Sequence, residues 1–374
     1  MTPNCRATSS RSRAANGRSS TKLPPTSAID RQVNRSTAVA AGSNRPPPFQ
    51  SRHQKKTGNE TMLKSLAFAA ALAATTASGA MAQTIGLATT QGGATEQIAT
   101  AIAKTVSQAT DLQVRPQMLA NTSQYIPLVN DGRVEFGIAN YPQTFYALKG
   151  EGMSEGQPAP NLKLVASLIP FNAGMMVPSS LGIKTLDGLA GKRVPRFPAN
   201  SLGDYIIRAS LATAGLTYDD VTSVPTANFP AQFQAFKDGA TDLTIATAGA
   251  QYTFDFETTL NGVTFLNYKD GDEAVLAAEL PGTFLKPVGS YKVPGVSEDT
   301  VIFAYDYTLF ANADVPNEVV AKVAKALFEG EAALKETGPI WQEYVPAEIG
   351  KAGVLEYHPG AIEFYKSVGI WSGD

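Results

Sequence analysis

From Thr84 onward, short apolar runs alternate with stretches whose apolar residues recur every third or fourth position. The runs Thr84–Ala88, Leu112–Leu119 and Val134–Ala139 read as strands. Between the first two, Ile98, Ile102 and Val106 fall at four-residue spacing with Ala99 and Ala103 beside them, which predicts a helix from Glu96 to Ala109. Asn121-Thr122-Ser123 supplies capping side chains for a second helix that reaches Asn130 and stops at Asp131-Gly132. Leu162–Leu168 and Ala173–Val177 are two further predicted strands, after the corner Asn140-Tyr141-Pro142.

The alternation then starts again. Lys192–Pro195 reads as a strand, and Asn200-Ser201 caps a helix from Leu202 to Ala214 that ends at Gly215. Val221–Pro225 and Leu243–Ala246 are strands around a helix from Pro230 to Lys237. Thr300–Phe310 is a strongly β-prone run, Asn317–Thr337 is the longest predicted helix, and a last helix follows His358-Pro359-Gly360 and ends near Val368. Two successive strand–helix series imply an α/β protein of two parallel, doubly wound lobes.

Residues 1–82 have a different texture. Residues 1–61 hold 11 Lys and Arg against two acids, contain Pro46-Pro47-Pro48 and show no apolar periodicity, so a disordered basic extension is expected there. Met62-Leu63-Lys64, the apolar run Leu66–Ala73 and the ending Ala80-Met81-Ala82 follow the three-part pattern of a secretory signal peptide cut before Gln83. The run is far short of the ~20 residues a membrane span needs. Translation is therefore expected to begin at Met62, with residues 1–61 an artefact of the gene model and the mature chain periplasmic.

Charge narrows the partners. Residues 83–374 carry 19 basic and 31 acidic side chains, which disfavours nucleic acid. Their only histidine is His358, and the one cysteine of the sequence is Cys5, so disulfides, thiol catalysis and thiolate metal sites are excluded after Gln83. The sequence has no P-loop and no His-Glu-x-x-His pair. Asp270-Gly271-Asp272-Glu273 lacks the ligand spacing of an EF-hand and reads as a solvated loop before a helix Glu273–Glu279. No catalytic residue, cofactor or metal is assigned.

Candidate binding residues follow from the rule that ligands of open α/β sheets sit beyond the carboxyl ends of strands, near helix starts. In the first series these are Thr90, Gln91, Gly92, Gly93 and Thr95, then Asn121, Thr122 and Ser123, and Asn140 with Tyr141. The second series adds Arg196, Asn200 and Ser201, then Ala248, Gly249 and Tyr252. Hydroxyls, amides and helix-start N–H groups suit an anionic or zwitterionic small molecule without a lysine, and Arg196 is a candidate counter-charge. Each loop alone also reads as an ordinary cap and turn.

The loop after the first strand, the stretch Gly182-Ile183-Lys184-Thr185-Leu186-Asp187-Gly188-Leu189-Ala190-Gly191-Lys192-Arg193-Val194, the turn Pro198–Ser201, the turn Thr247-Ala248-Gly249 and the ending His358-Pro359-Gly360-Ala361 together resemble the TAXI family of TRAP-transporter solute receptors. The resemblance covers about residues 84–370. It implies a type II periplasmic binding protein, with lobe 1 from 83–176 and 301–374, lobe 2 from 177–300, and hinges near Pro170–Val177 and Thr300–Phe310. It also implies a glutamate-like or 2-oxoacid ligand, a small-molecule carboxylate passed to the membrane permease subunits of an ion-driven TRAP transporter. The chain departs from the family pattern at Leu87, Ala88, Thr89 and Gln91, which replace smaller residues. Ala94-Thr95 stand where two tyrosines are usual, and Phe197-Pro198-Ala199-Asn200-Ser201-Leu202 replaces a glycine-rich turn. Rival readings are the receptor of an ATP-driven importer, a sensor subunit for a membrane kinase, and an enzyme on the same bilobal scaffold.

Overall fold

In the computed structural model, which describes residues 83–373, the chain enters on β1 (Gln83–Thr90). The expected basic extension and signal peptide lie outside the described residues. Helix α1 (Gly93–Ala109) follows β1, and β2 (Leu112–Leu119) pairs with β1 in parallel, in register from Gln83↔Leu112 to Thr90↔Leu119. A parallel pair needs such a crossover, and α1 buries Ile98, Ala99, Ile102 and Val106 against it, the stripe its spacing predicts. α1 starts three residues earlier than expected, because Gly92 and Gly93 at φ 75° and 71° turn the chain straight into the helix. α2 (Thr122–Asn130) leads to β3 (Phe136–Asn140), which is buried throughout and pairs in parallel with the other edge of β1. α3 (Tyr141–Lys149) grows directly from the Asn140 corner, where the sequence reading had only a turn.

β4 (Leu162–Pro178) is one strand of 17 residues, not the two expected. Pro170 does not break it: it lies opposite Asp306, before a further neighbour joins at Ala173, where a missing backbone donor is tolerated. The second lobe holds β5 (Arg193–Arg196), α4 (Leu202–Thr213), β6 (Thr222–Pro225), α5 (Phe229–Lys237), β7 (Thr244–Thr247), α6 (Gln251–Thr259), β8 (Val263–Phe265) and α7 (Asp272–Glu279). β5 and β6 pair in parallel. α6 and β8 were not predicted.

β9 (Phe284–Pro287) and β10 (Val301–Asn312) bring the chain back. β10 runs antiparallel to β4 from Phe303↔Ala173 to Asn312↔Leu162, with two register shifts, and to β3 on its other side. The far half of β4 pairs antiparallel with β7 and β8. The expected α/β fold of two lobes is present, each lobe with a parallel strand pair, but the lobes are not parallel throughout: two long antiparallel strands serve both. The β-prone run at Thr300–Phe310 is this shared strand.

The long C-terminal helix is also two, α8 (Asn317–Glu329) and α9 (Glu331–Glu336). Gly330 separates them; a Cβ there would lie 2.5 Å from Ala326 O and from Thr105 Cγ2, so the junction presses against α1. α10 (Pro359–Ser367) packs on α8. His358 caps it, its Nδ1 accepting from Gly360 N at 3.2 Å. Among the described residues no helix is long and apolar enough to cross a membrane.

Candidate functional site

Five helix starts of at least eight residues meet one cavity of about 330 Å³. α1 brings Gly92–Thr95, α2 brings Asn121–Ser123, α3 brings Asn140 and Gln143, α4 brings Ser201–Gly203 and α5 brings Asn228 and Phe229. The first three belong to the β1–β3 lobe and the last two to the β5–β7 lobe, with β4 and β10 at the back through Phe171, Ala173, Tyr305 and Tyr307.

Local sequence sets these tips. The Asn140 side chain accepts from Gln143 N at 3.0 Å, closing a capping box with Gln143. Ser201 Oγ accepts from Asp204 N at 3.4 Å, and Asn228 Oδ1 from Ala231 N at 2.9 Å. Gln143 Nε2 donates to Thr122 Oγ1, tying the tips of α2 and α3 together. Gly93 has its left-handed backbone where a Cβ would sit 3.1 Å from Phe233 Cε2, across the cavity mouth.

Of the residues the sequence put forward, Thr90, Gly92, Gly93, Thr95, Asn121, Thr122, Ser123, Asn140, Asn200, Ser201 and Tyr252 line the cavity. Gln91, Tyr141, Arg196, Ala248 and Gly249 do not. Arg196 is held elsewhere, its guanidinium 3.9 Å from the centre of the Tyr218 ring. Gly249 backs onto Pro339 and Ile340, where a Cβ would meet Ile340 N at 3.1 Å. Tyr141 packs near Gly282.

Apart from Tyr252, the aromatic wall was missed. Phe171 stacks on Tyr307 with ring centres 4.5 Å apart, and on Tyr305 at 5.7 Å. Phe233 stacks on Tyr252 at 4.3 Å, and Phe229 tilts against Phe197 at 5.2 Å. Phe229 and Phe233, four apart on α5, read in sequence as ordinary helix core, and the alternation of Tyr305 and Tyr307 reads as any buried strand. Nothing in the sequence says that these faces meet a void.

None of the lining residues is Asp, Glu, Lys, Arg or His. Burial pushes the Tyr252 hydroxyl up to about 12, partly offset by the Thr247 backbone N–H that donates to it at 2.8 Å. Burial raises Tyr305 and Tyr307 further still. Tyr307 donates to Thr95 Oγ1 at 2.6 Å. Among the described residues no cluster of three or more His, Cys, Asp and Glu could hold a metal.

The lobes touch around the cavity. Gln251 N, at the start of α6, donates to Gln97 Oε1 of α1 at 3.1 Å. On the other flank Tyr146 of α3 donates to Glu279 O at 3.0 Å and packs on Tyr205 of α4. Behind them Glu343 gathers Lys286 of β9, the Tyr291 hydroxyl and Asn172 Nδ2 of β4, the last at 2.6 Å.

Solved structures of similar form include MatC from Rhodopseudomonas palustris with bound malate, at 13% identity, 71% of this chain, 92% of that one and a TM-score of 0.49. PhnD1 from Prochlorococcus marinus in complex with methylphosphonate matches at 12% identity, 77% of this chain, 99% of that one and a TM-score of 0.48. The periplasmic aliphatic sulphonate binding protein SsuA from Escherichia coli matches at 18%, 68%, 78% and 0.40 respectively. No curated protein matches the sequence. The model of the NMT1-like family matches residues 87–369, which take in every helix tip around the cavity, and the chain belongs to that family.

Proposed function

We propose that this protein is an extracytoplasmic solute-binding receptor of a TRAP-type secondary transporter of the TAXI kind. It captures a small organic acid or amino acid, glutamate-like or 2-oxoacid-like, between its lobes and delivers it to membrane permease subunits. The observation that supports this most is the cavity at which helix starts from both lobes converge. Unpaired N–H groups and the positive end of each helix dipole favour an anion by about 0.3–1 kcal/mol apiece. Opposed tips make the site complete only when the lobes are together, as capture and release by a carrier requires.

In this reading residues 62–82 are a cleaved leader, 83–176 and 301–374 form lobe 1, and 177–300 form lobe 2. The protein performs no chemistry on its ligand, since the cavity wall offers neither a general base nor a nucleophile paired with one. Mass spectrometry of small molecules released from natively purified protein is the direct test, with a stoichiometric organic acid as the expected result. Deleting the gene should then abolish uptake of that acid; unchanged uptake would sink the transport role. A permease gene beside it without an ATPase gene is the expected neighbourhood.

A further inference from the structure

Resting on the reading of the cavity as a solute site, we propose that its ligand is a monocarboxylate with a flat apolar body and no ammonium group. A deaminated acid fits, and an amino acid does not.

Two buried donors point into an otherwise finished wall. Asn140 and Tyr305 are 2% and 1% exposed, and both line the cavity. Asn140 Oδ1 is committed to Gln143 N, which orients the amide and leaves Nδ2 as its free end. Asn140 is hydrogen-bonded to the Tyr305 oxygen, which leaves the Tyr305 O–H and the second Nδ2–H without a further protein partner among the described residues. Buried donors are rarely left unmatched in a native protein. A ligand that brings acceptors satisfies both, beside the donors at the tips of α1 and α2.

An ammonium group finds the opposite. No lining residue carries a carboxylate, and the positive ends of five helix dipoles face the same space. Phe171 stacks against Tyr305 and Tyr307, and Phe233 against Tyr252, and all five rings line the cavity. The same rings, with Phe197, Phe229 and Ile206, offer a body-sized apolar surface that a second carboxylate would have to leave water to meet.

The test is calorimetry on ligand-stripped protein with four probes: phenylpyruvate, phenylalanine, 2-oxoglutarate and glutamate. Phenylpyruvate should bind about 100-fold more tightly than phenylalanine, which has the same skeleton, and more tightly than 2-oxoglutarate. Phenylalanine or glutamate binding as tightly as the oxoacids overturns the inference and leaves the receptor reading standing. Flat titrations with all four, together with no solute in the native extract, overturn both. Asn140→Asp keeps the helix cap but puts a carboxylate at the free amide, and should abolish oxoacid binding. Tyr305→Phe, which keeps the ring and the packing, should weaken it about tenfold; no loss in either folded variant also overturns the proposal.

Discussion

His358 shows what one buried residue can contribute away from the cavity. It is fully buried, and its Nδ1 lone pair caps α10 by accepting from Gly360 N. Burial holds its pKa below the usual histidine value. Between that lowered value and the unfolded value of about 6.5, the unfolded chain binds more protons than the folded one. Its contribution to stability is thus full above about pH 6.5 and is lost as the pH falls toward the folded pKa. Thermal unfolding followed from pH 8 to pH 5 should show Tm falling through this window. His358→Asn, which can cap through its amide oxygen, should lack that step.

At the scale of elements, the tips carry the site and their packing fixes its walls. Gly203 lies in the first turn of α4, and a Cβ there would stand 2.5 Å from Cγ of Phe197. Phe197 is 4% exposed and lines the cavity, so its ring can only move by intruding into that space or displacing its neighbours. Gly203→Ala is expected to cost about 1–3 kcal/mol of stability through overpacking and to weaken solute binding at least about tenfold. Calorimetry with the co-purified solute checks the second figure. The starts of α2 and α4 were legible from sequence because asparagine and serine mark them by backbone chemistry, whereas those of α3 and α6 were not. The joining of Leu162–Leu168 with Ala173–Val177 was not, since Pro170 reads as a break unless its partner across the sheet is known. The split at Gly330 depends likewise on contact with α1. Tyr305 and Phe171 come from strands more than a hundred residues apart, and no local pattern brings them to one wall.

At the scale of the molecule, the lobes are held together behind the cavity by the cluster on Glu343. The Lys286 and Glu343 side chains are 22% and 24% exposed, so the pair is partly screened and contributes on the order of 1 kcal/mol. It joins a residue after the turn Pro339–Trp341 to β9, and Tyr291 and Asn172 complete the set. Glu343→Gln keeps the shape and removes the charge. It should shift the ligand-free protein about fivefold toward the open form, visible as a larger radius of gyration in solution scattering, with the solute-saturated form unchanged. Identical scattering from the two proteins would show that closure does not depend on the cluster.

A wall built without ionisable carboxylates, ammonium groups or imidazole has a consequence for the environment in which it operates. Its tyrosines hold their protons through any ordinary acidity, the Tyr252 hydroxyl up to about 12. An acid with a pKa near 3 is itself fully ionised above about pH 5. Occupancy measured between about pH 5 and pH 9 should therefore stay level, tolerant of an external medium that drifts in acidity while the cargo waits to be handed on.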